Sequence, residues 1–310
     1  MKIVLTGSVG NITKPLTEML VARGHEVKVI TSNPKNASVI QGLGAGPLIG
    51  KLEDGKFLKS AFAGADAVYC MIPLNFTATD QKSYYEKIGN NYVDAVRANN
   101  IRKVALLTGW AGSVIDTYNV EELIKGMGEI NVSEIRPTIF YTNFFMNIDM
   151  MKGKGFLGSL LALRFYGPIG WLKGRRGLIV STYGGNDKIA LVAPADIAAA
   201  VAEELESTVP GRTIRYAASE EMTCSEAATI LGKAIGKPYL KWAIIPEKQF
   251  LNAIVKAGVS KALASDLVKM QAATHSGEIY REYQKHHPKL GTHKLEAFAK
   301  ELAKAYRQSV

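Results

Sequence analysis

The stretch Lys2-Ile3-Val4-Leu5-Thr6-Gly7-Ser8-Val9-Gly10-Asn11-Ile12-Thr13 decides the fold. An apolar run from Lys2 to Leu5 enters a turn with glycine at positions 7 and 10, and apolar residues then recur at helical spacing from Ile12 to Arg23, closed by Gly24. Glycine admits backbone conformations that other residues avoid and leaves room beside the main chain. A diphosphate needs both, together with N–H groups at a helix N-terminus. Gly7, Ser8, Val9, Gly10, Asn11 and Ile12 are therefore expected to hold the diphosphate of a nicotinamide dinucleotide. The plain alternative is a tight strand-to-helix turn without a ligand. Thr13 takes the third place of the glycine spacing, and its branched Cβ is expected to push helix and strand slightly apart.

Outward from this turn, short apolar runs alternate with longer amphipathic ones, the pattern of strand-helix-strand units. Strands are expected at Lys2 to Leu5, Glu26 to Ile30, Pro47 to Ile49, Ala67 to Met71, Val104 to Leu107 and Val132 to Ile135. Between them fit helices at Ile12 to Arg23, Asn36 to Leu43, Phe57 to Phe62, Gln81 to Asn99 and Val120 to Met127. The fold class is α/β, a Rossmann-type doubly wound parallel sheet with a smaller, mostly helical C-terminal lobe. Residues 1–150 are assigned to the dinucleotide domain and 151–310 to the substrate lobe, with an element near 189–205 returning to the first domain. Ligands of such sheets bind at the carboxyl ends of the strands, near the reversal of strand order. Met71, Ile72 and Pro73, which end the fourth strand, are placed beside the ribose and nicotinamide.

The end of the second strand sets the cofactor type. A carboxylate there would accept bonds from a ribose 2′-hydroxyl and repel a 2′-phosphate. Thr31, Ser32, Asn33 and Lys35 supply hydroxyls, an amide and a cation but no acid, so NADP(H) is favoured over NAD(H). The alternative is a polar turn with Lys35 in solvent.

Thr6-Gly7-x-x-Gly10-Asn11-Ile12, Gly24-His25-Glu26-Val27, Phe62-Ala63-Gly64-Ala65-Asp66-Ala67-Val68-Tyr69 and Ile135-Arg136-Pro137 resemble the NmrA-like branch of the atypical short-chain dehydrogenases. Ala193-Pro194-Ala195-Asp196-Ile197-Ala198 and the ending Gly291-Thr292-His293-Lys294-Leu295-Glu296-Ala297-Phe298-Ala299 fit the same pattern. The resemblance implies a Rossmann domain, a smaller lobe forming a substrate cleft, and NAD(P)(H) as ligand. It leaves open reduction of quinones or small unsaturated compounds, and dinucleotide sensing without turnover. Three positions depart from the pattern: Thr31 where many NADP-binding members carry Arg, Lys51 where relatives carry an adenine-contacting Asp, and Thr13 for the third glycine.

Ketone-reducing members of the wider family use a Tyr as proton donor with a Lys four residues later. No Tyr here has a Lys at that spacing. The nearest candidate, Tyr118, has Glu122 there, whose charge would raise the phenol's pKa. Thr108, ending the fifth strand, is the other catalytic candidate and also a cofactor contact. A quinone accepts hydride readily, and its reduction depends chiefly on positioning. Trp110, Phe140, Tyr141, Phe144 and Phe145 are candidate walls for such an acceptor, although aromatics after a buried strand more often build core. The expected activity is hydride transfer from NAD(P)H to a small, hydrophobic, electron-poor acceptor such as a quinone. The competing expectation is a non-catalytic NADP(H) sensor whose C-terminal lobe binds another protein. A third is a peripheral membrane protein with a vestigial cofactor site.

The 310 residues suffice for a full core. Cys70 and Cys224 stand far apart, which supports neither a disulfide framework nor a thiolate metal site and points to a reducing cytoplasm. The histidines His25, His275, His286, His287 and His293 show no ligand spacing, so no metal is expected. The net charge of +10 is concentrated: between Lys152 and Lys188 seven basic residues face one acid, Asp187, a surplus of six. No nucleic-acid reading motif accompanies it, and no nucleic-acid partner is expected. Phe156 to Arg176, within the segment 156–181, is both apolar and basic. Its readings, in order, are a lid or pocket wall, an oligomer contact that would make a homodimer, and a membrane-surface element.

Overall fold

The computed structural model describes residues 1–113, 115 and 120–309. The chain divides into two compact units: Met1–Thr138 with Pro194–Ala217 and His286–Lys289, and Ile139–Ala193 with Ala218–Lys285 and Leu290–Val310. The first unit thus ends before the expected residue 150, where the last strand of the first run meets the aromatic stretch that follows it. Of the element near 189–205, the helical part joins the first unit and the strand joins the second.

Along the chain the first unit supplies β1 (Lys2–Leu5), α1 (Thr13–Ala22), β2 (Glu26–Thr31), α2 (Ala37–Gly42), β3 (Gly46–Ile49), α3 (Gly55–Ala61) and β4 (Ala67–Met71). It continues with α4 (Gln81–Ala98), β5 (Lys103–Leu107), α5 (Glu121–Met127) and β6 (Asn131–Pro137). The second unit then contributes β7 (Ile139–Phe140), α6 (Ile148–Lys152), α7 (Gly155–Leu172), β8 (Leu178–Ser181) and β9 (Lys188–Val192). The chain returns to the first unit for α8 (Pro194–Glu206) and β10 (Arg212–Ala217). It closes in the second with β11 (Glu220–Thr223), α9 (Cys224–Ala234), β12 (Lys241–Ile244), α10 (Glu247–Lys256), α11 (Lys261–His275), α12 (Glu278–Lys285) and α13 (Leu295–Gln308).

The first unit's sheet has seven strands in the order β10-β6-β5-β4-β1-β2-β3, every pair parallel. Its central strands are short apolar runs such as Ala67-Val68-Tyr69-Cys70, buried on both faces as parallel strands must be. One face packs Val4, Val68, Cys70 and Leu106 against α3, α4 and α5, where Phe62 and Tyr92 stack with ring centroids 6.3 Å apart. On the other lie α1 and α8; Leu16 and Leu20 of the first and Ile197 and Val201 of the second are buried. Strand order reverses between β1 and β4, so a crevice opens beyond their carboxyl ends. The Rossmann expectation holds, with β10 as a further strand that the apolar runs did not reveal.

In the second unit β11, β9 and β7 form one sheet and β12 pairs parallel to β8. Its core gathers Ile179, Leu191, Leu231, Trp242, Phe298 and Leu302. A reciprocal cap between Thr223 and Glu226 starts α9, which packs on α13.

Candidate functional site

β1 delivers the chain into its turn with Thr6 locked in place. The Thr6 hydroxyl donates to Tyr69 O at 3.1 Å and accepts from Met71 N at 2.9 Å, so the ends of β1 and β4 are cross-tied. Beyond it Gly7 and Ser8 turn through φ of 95° and 58°, and Gly10 N donates back to Gly7 O at 3.1 Å. Gly7 needs its bare Cα twice over: its φ is left-handed, and a Cβ there would lie 2.5 Å from Thr13 Oγ1. Thr13 does not wedge helix from strand, contrary to expectation. Its hydroxyl occupies the space that Gly7 leaves and donates to Thr6 O at 2.9 Å, tying α1 down onto the end of β1.

α1 begins at Thr13 with Ile12 as N-cap, without a side-chain cap and without an acid in its first turn. Its first N–H groups and the positive end of its dipole therefore meet neither a capping side chain nor a neighbouring carboxylate. Gly10 and Asn11 are exposed, Val9 is half-buried and the Ile12 side chain is buried. This cradle fits a dinucleotide diphosphate: N–H groups at a helix end, bare backbone at Gly7 and Gly10, and no acid in the first turn of the helix.

The end of β2 meets the same turn. Ser8 N donates to Ile30 O at 3.1 Å, and Ser8 Oγ donates to Thr31 Oγ1 at 2.8 Å. Asn36, which the sequence reading passed over, donates through Nδ2 to Ser8 Oγ at 2.9 Å and to Thr31 Oγ1 at 3.4 Å. Asn33 accepts from Lys35 N at 3.1 Å and so caps the short 3-10 turn Pro34–Asn36. Ser32, Asn33 and Lys35 are exposed while Thr31 is buried. Ser8, Thr31 and Asn36 thus form a neutral, mutually hydrogen-bonded corner with no carboxylate between Thr31 and Asn36.

Met71 lies beside Gly7, its Cγ 3.4 Å from where a Cβ on that glycine would stand. The Tyr92 hydroxyl donates to Met71 O at 2.7 Å, and burial pushes this phenol well above its usual pKa, so it remains a donor. Ile72 turns its side chain into the core under α3 and α4, while Pro73 is half-buried.

At the end of β5, Thr108 N donates to Ile135 O at 2.9 Å. The Thr108 hydroxyl donates to Glu134 Oε1 at 3.3 Å and to Ile135 O at 3.2 Å. Glu134 is a buried carboxylate that sequence reading did not single out. Arg136 Nε holds its Oε1 at 2.6 Å and Arg212 Nη2 its Oε2 at 2.8 Å. Arg212 also pairs with Glu121 at 2.5 Å, and this hydrogen bond holds the Glu121 carboxyl below its ordinary range. Thr108 thus points its proton toward a carboxylate that two guanidinium groups already bind.

Trp110 is buried in the first unit. Phe140 pairs across to Val192 in β9, Tyr141 stacks on Phe298 at 5.5 Å, Phe144 meets Trp242 edge-on at 5.7 Å, and Phe145 meets Phe298 at 5.2 Å. The Tyr141 hydroxyl donates to Glu220 and to His293 O, and both Tyr141 and Phe144 are fully buried core of the second unit. Tyr118 lies outside the described residues. Among the described residues no cluster of His, Cys, Asp and Glu suits a metal ion, and no helix is long and apolar enough to cross a membrane.

Residues 7–125 match the family described as NAD(P)H-binding. A stretch of 69 residues, 22% of this chain, is 36% identical to 4-hydroxy-2-methyl-3-oxo-4-farnesyl-3,4-dihydroquinoline-1-oxide ketoreductase of Stigmatella aurantiaca and covers 21% of that protein. The chain is thus matched to only about a fifth of the length of its curated relatives. Triphenylmethane reductase of Citrobacter sp. superposes with a TM-score of 0.72 at 20% identity, over 98% of this chain and 100% of that one. A new type of NADPH-dependent quinone oxidoreductase from Escherichia coli superposes with a TM-score of 0.69 at 20% identity, over 97% and 99% of the two chains. At that identity the likeness is one of fold.

Proposed function

Starting from a chain of the NmrA-like, atypical short-chain dehydrogenase type, with an NAD(P)H-binding domain in its first 125 residues, we propose that it reduces a small, hydrophobic, electron-poor acceptor, a quinone being the best fit. Gly7, Ser8, Gly10 and the first turn of α1 hold the diphosphate, and the Ser8, Thr31 and Asn36 corner, with Lys35 exposed nearby, receives the adenosine ribose and favours a 2′-phosphate. Met71 and Thr108 border the nicotinamide end. When bound, the dihydronicotinamide supplies a hydride, which carries both electrons of the reduction.

The orientation of Thr108 carries the choice of acceptor. Its one proton is directed at Glu134 and Ile135 O, so toward a ligand the hydroxyl offers lone pairs rather than a proton. No Tyr stands four residues before a Lys to supply a proton instead. A simple ketone would give an alkoxide in need of a positioned acid, whereas a quinone gives a stabilised phenolate that water can protonate. The chain's work is then to bind, orient and exclude bulk solvent rather than to transfer a proton.

Steady-state oxidation of NADPH and NADH against panels of quinones and of simple ketones tests this reading. Turnover is expected with quinones, faster with NADPH than with NADH, and negligible with ketones. Tight binding of NADPH without turnover of any acceptor would replace the reductase by a dinucleotide sensor, and preference for ketones would refute the argument from Thr108.

A further inference from the structure

α7, in the second unit, carries a single charged residue, Arg164, over its whole length from Gly155 to Leu172. Gly167, with φ of 69°, and Pro168 break it. The piece after the break leaves two large apolar side chains one turn apart in solvent, Ile169 at 70% and Leu172 at 77% exposure. Lys173, Arg175 and Arg176 follow at once and are exposed. No Asp or Glu occurs from Met150 to Asn186 to balance them. Trp171 sits half-buried between the two groups, with the Arg176 guanidinium 4.6 Å from its ring centroid.

This patch is held rather than loose. Leu161 of α7 is buried with Leu178, Ala243 and Ile245, and the Tyr166 hydroxyl donates to Gly177 O at 2.7 Å and Tyr239 O at 3.1 Å. Lys173 N, Gly174 N and Arg175 N fold back onto carbonyls of Ile169, Trp171 and Gly170. Lys237 Nζ donates to Arg176 O at 2.6 Å. Exposed Ile and Leu beside an indole and a row of cations form an ordered, unpartnered surface.

We infer that Ile169, Trp171 and Leu172, with Lys173, Arg175 and Arg176, dock this chain onto an anionic lipid bilayer surface. Charge selects this occupant. A symmetric contact with a second copy would bring the patch against itself and oppose Lys173, Arg175 and Arg176 to their own copies, in a stretch that has no Asp or Glu from Met150 to Asn186. Anionic headgroups complement the cations, and the boundary between headgroup and acyl chain accepts the Ile, Leu and indole side chains. The element lies on the membrane and does not span it. The inference stands independently of any dinucleotide chemistry.

Co-sedimentation of the full chain with phosphatidylcholine vesicles, with and without phosphatidylglycerol, tests it. Pelleting is expected only with phosphatidylglycerol and is released by salt. Trp171 emission shifts to the blue on binding, and Trp171→Phe abolishes the shift because Trp110 and Trp242 are 4% and 8% exposed in the protein interior. Ile169→Ser with Leu172→Ser weakens partitioning more than tenfold, and neutralising Arg175 or Arg176 to Gln weakens it about fivefold each. Lys248→Gln with Lys256→Gln, exposed cations on α10, leaves it unchanged. Circular dichroism melts check that every variant folds. Absence of pelleting with anionic vesicles overturns the inference, as does equal loss from the α10 control pair. A concentration-dependent Trp171 shift without lipid, with a dimer in sedimentation, would assign the patch to a second copy instead.

Discussion

The hydroxyl of Thr13 fills the space that Gly7 leaves by having no Cβ and joins the first helix to the end of the first strand through Thr6 O. Burial makes that bond matter, since Thr6 and Thr13 are both out of contact with water. Thr13→Val keeps the shape and removes the donor, leaving a buried carbonyl short of a partner. It is expected to lower unfolding free energy by about 1–2 kcal/mol in urea titration. Asn36 bears on the proposed cofactor preference. Asn36→Asp would place a negative charge against Ser8 and Thr31 where the amide now donates. NADPH affinity is expected to fall tenfold or more while NADH affinity holds, read by fluorescence titration of each. The glycines of this site were legible because their spacing follows directly from the strand that feeds them. Asn36 was not, because it reaches Ser8 only once β2 has folded back beside β1, across 28 residues of chain.

Among the strands of the first sheet, β10 was hidden from a reading of apolar runs. Arg212-Thr213-Ile214-Arg215-Tyr216-Ala217 carries two arginines and a threonine among its apolar residues because it lies at the edge of the sheet, beyond β6. Its arginines are answered from elsewhere: Arg212 by Glu121 and Glu134, Arg215 by Glu203 and Glu204. The Arg212 hydrogen bond lowers the Glu121 carboxyl below its ordinary value of 4.5, so the folded state gains stability from ionised Glu121 above that value. That contribution disappears as pH falls through the lower, folded value. Urea midpoints are therefore expected to drop below about pH 4.5, and Glu121→Gln to drop less steeply over the same range, although weaker at neutral pH. α7 escaped for the opposite reason. Its glycines and Pro168 signalled breaks, yet Leu160, Leu161, Ala162 and Leu163 are strong helix formers and outweigh all but the break at Gly167.

Over the whole molecule, the doubly wound parallel sheet followed from alternating runs in the first half of the chain, whereas the order of its strands did not, and the second unit draws its core from segments far apart in sequence. Tyr141 and Phe144 illustrate this: the aromatic stretch after β6 carried no sign of Phe298 or Trp242, which arrive much later and turn it into packing. The first unit leaves the chain at Thr138, resumes at Pro194, leaves again at Ala217 and ends with His286–Lys289, where His286 lies 5.0 Å from the Tyr216 ring. This threading orders events on the ribosome. A nascent chain that has emerged only through residue 150 has six strands of the sheet but not β10, so the edge of β6 stands open and Glu134 lacks Arg212. α8 is missing from its place beside α1 as well, and the first unit waits for the whole of the second unit's first segment, Ile139–Ala193, and then for Pro194–Ala217 before it can close. Neither half can be cut out by choosing a single point in the gene.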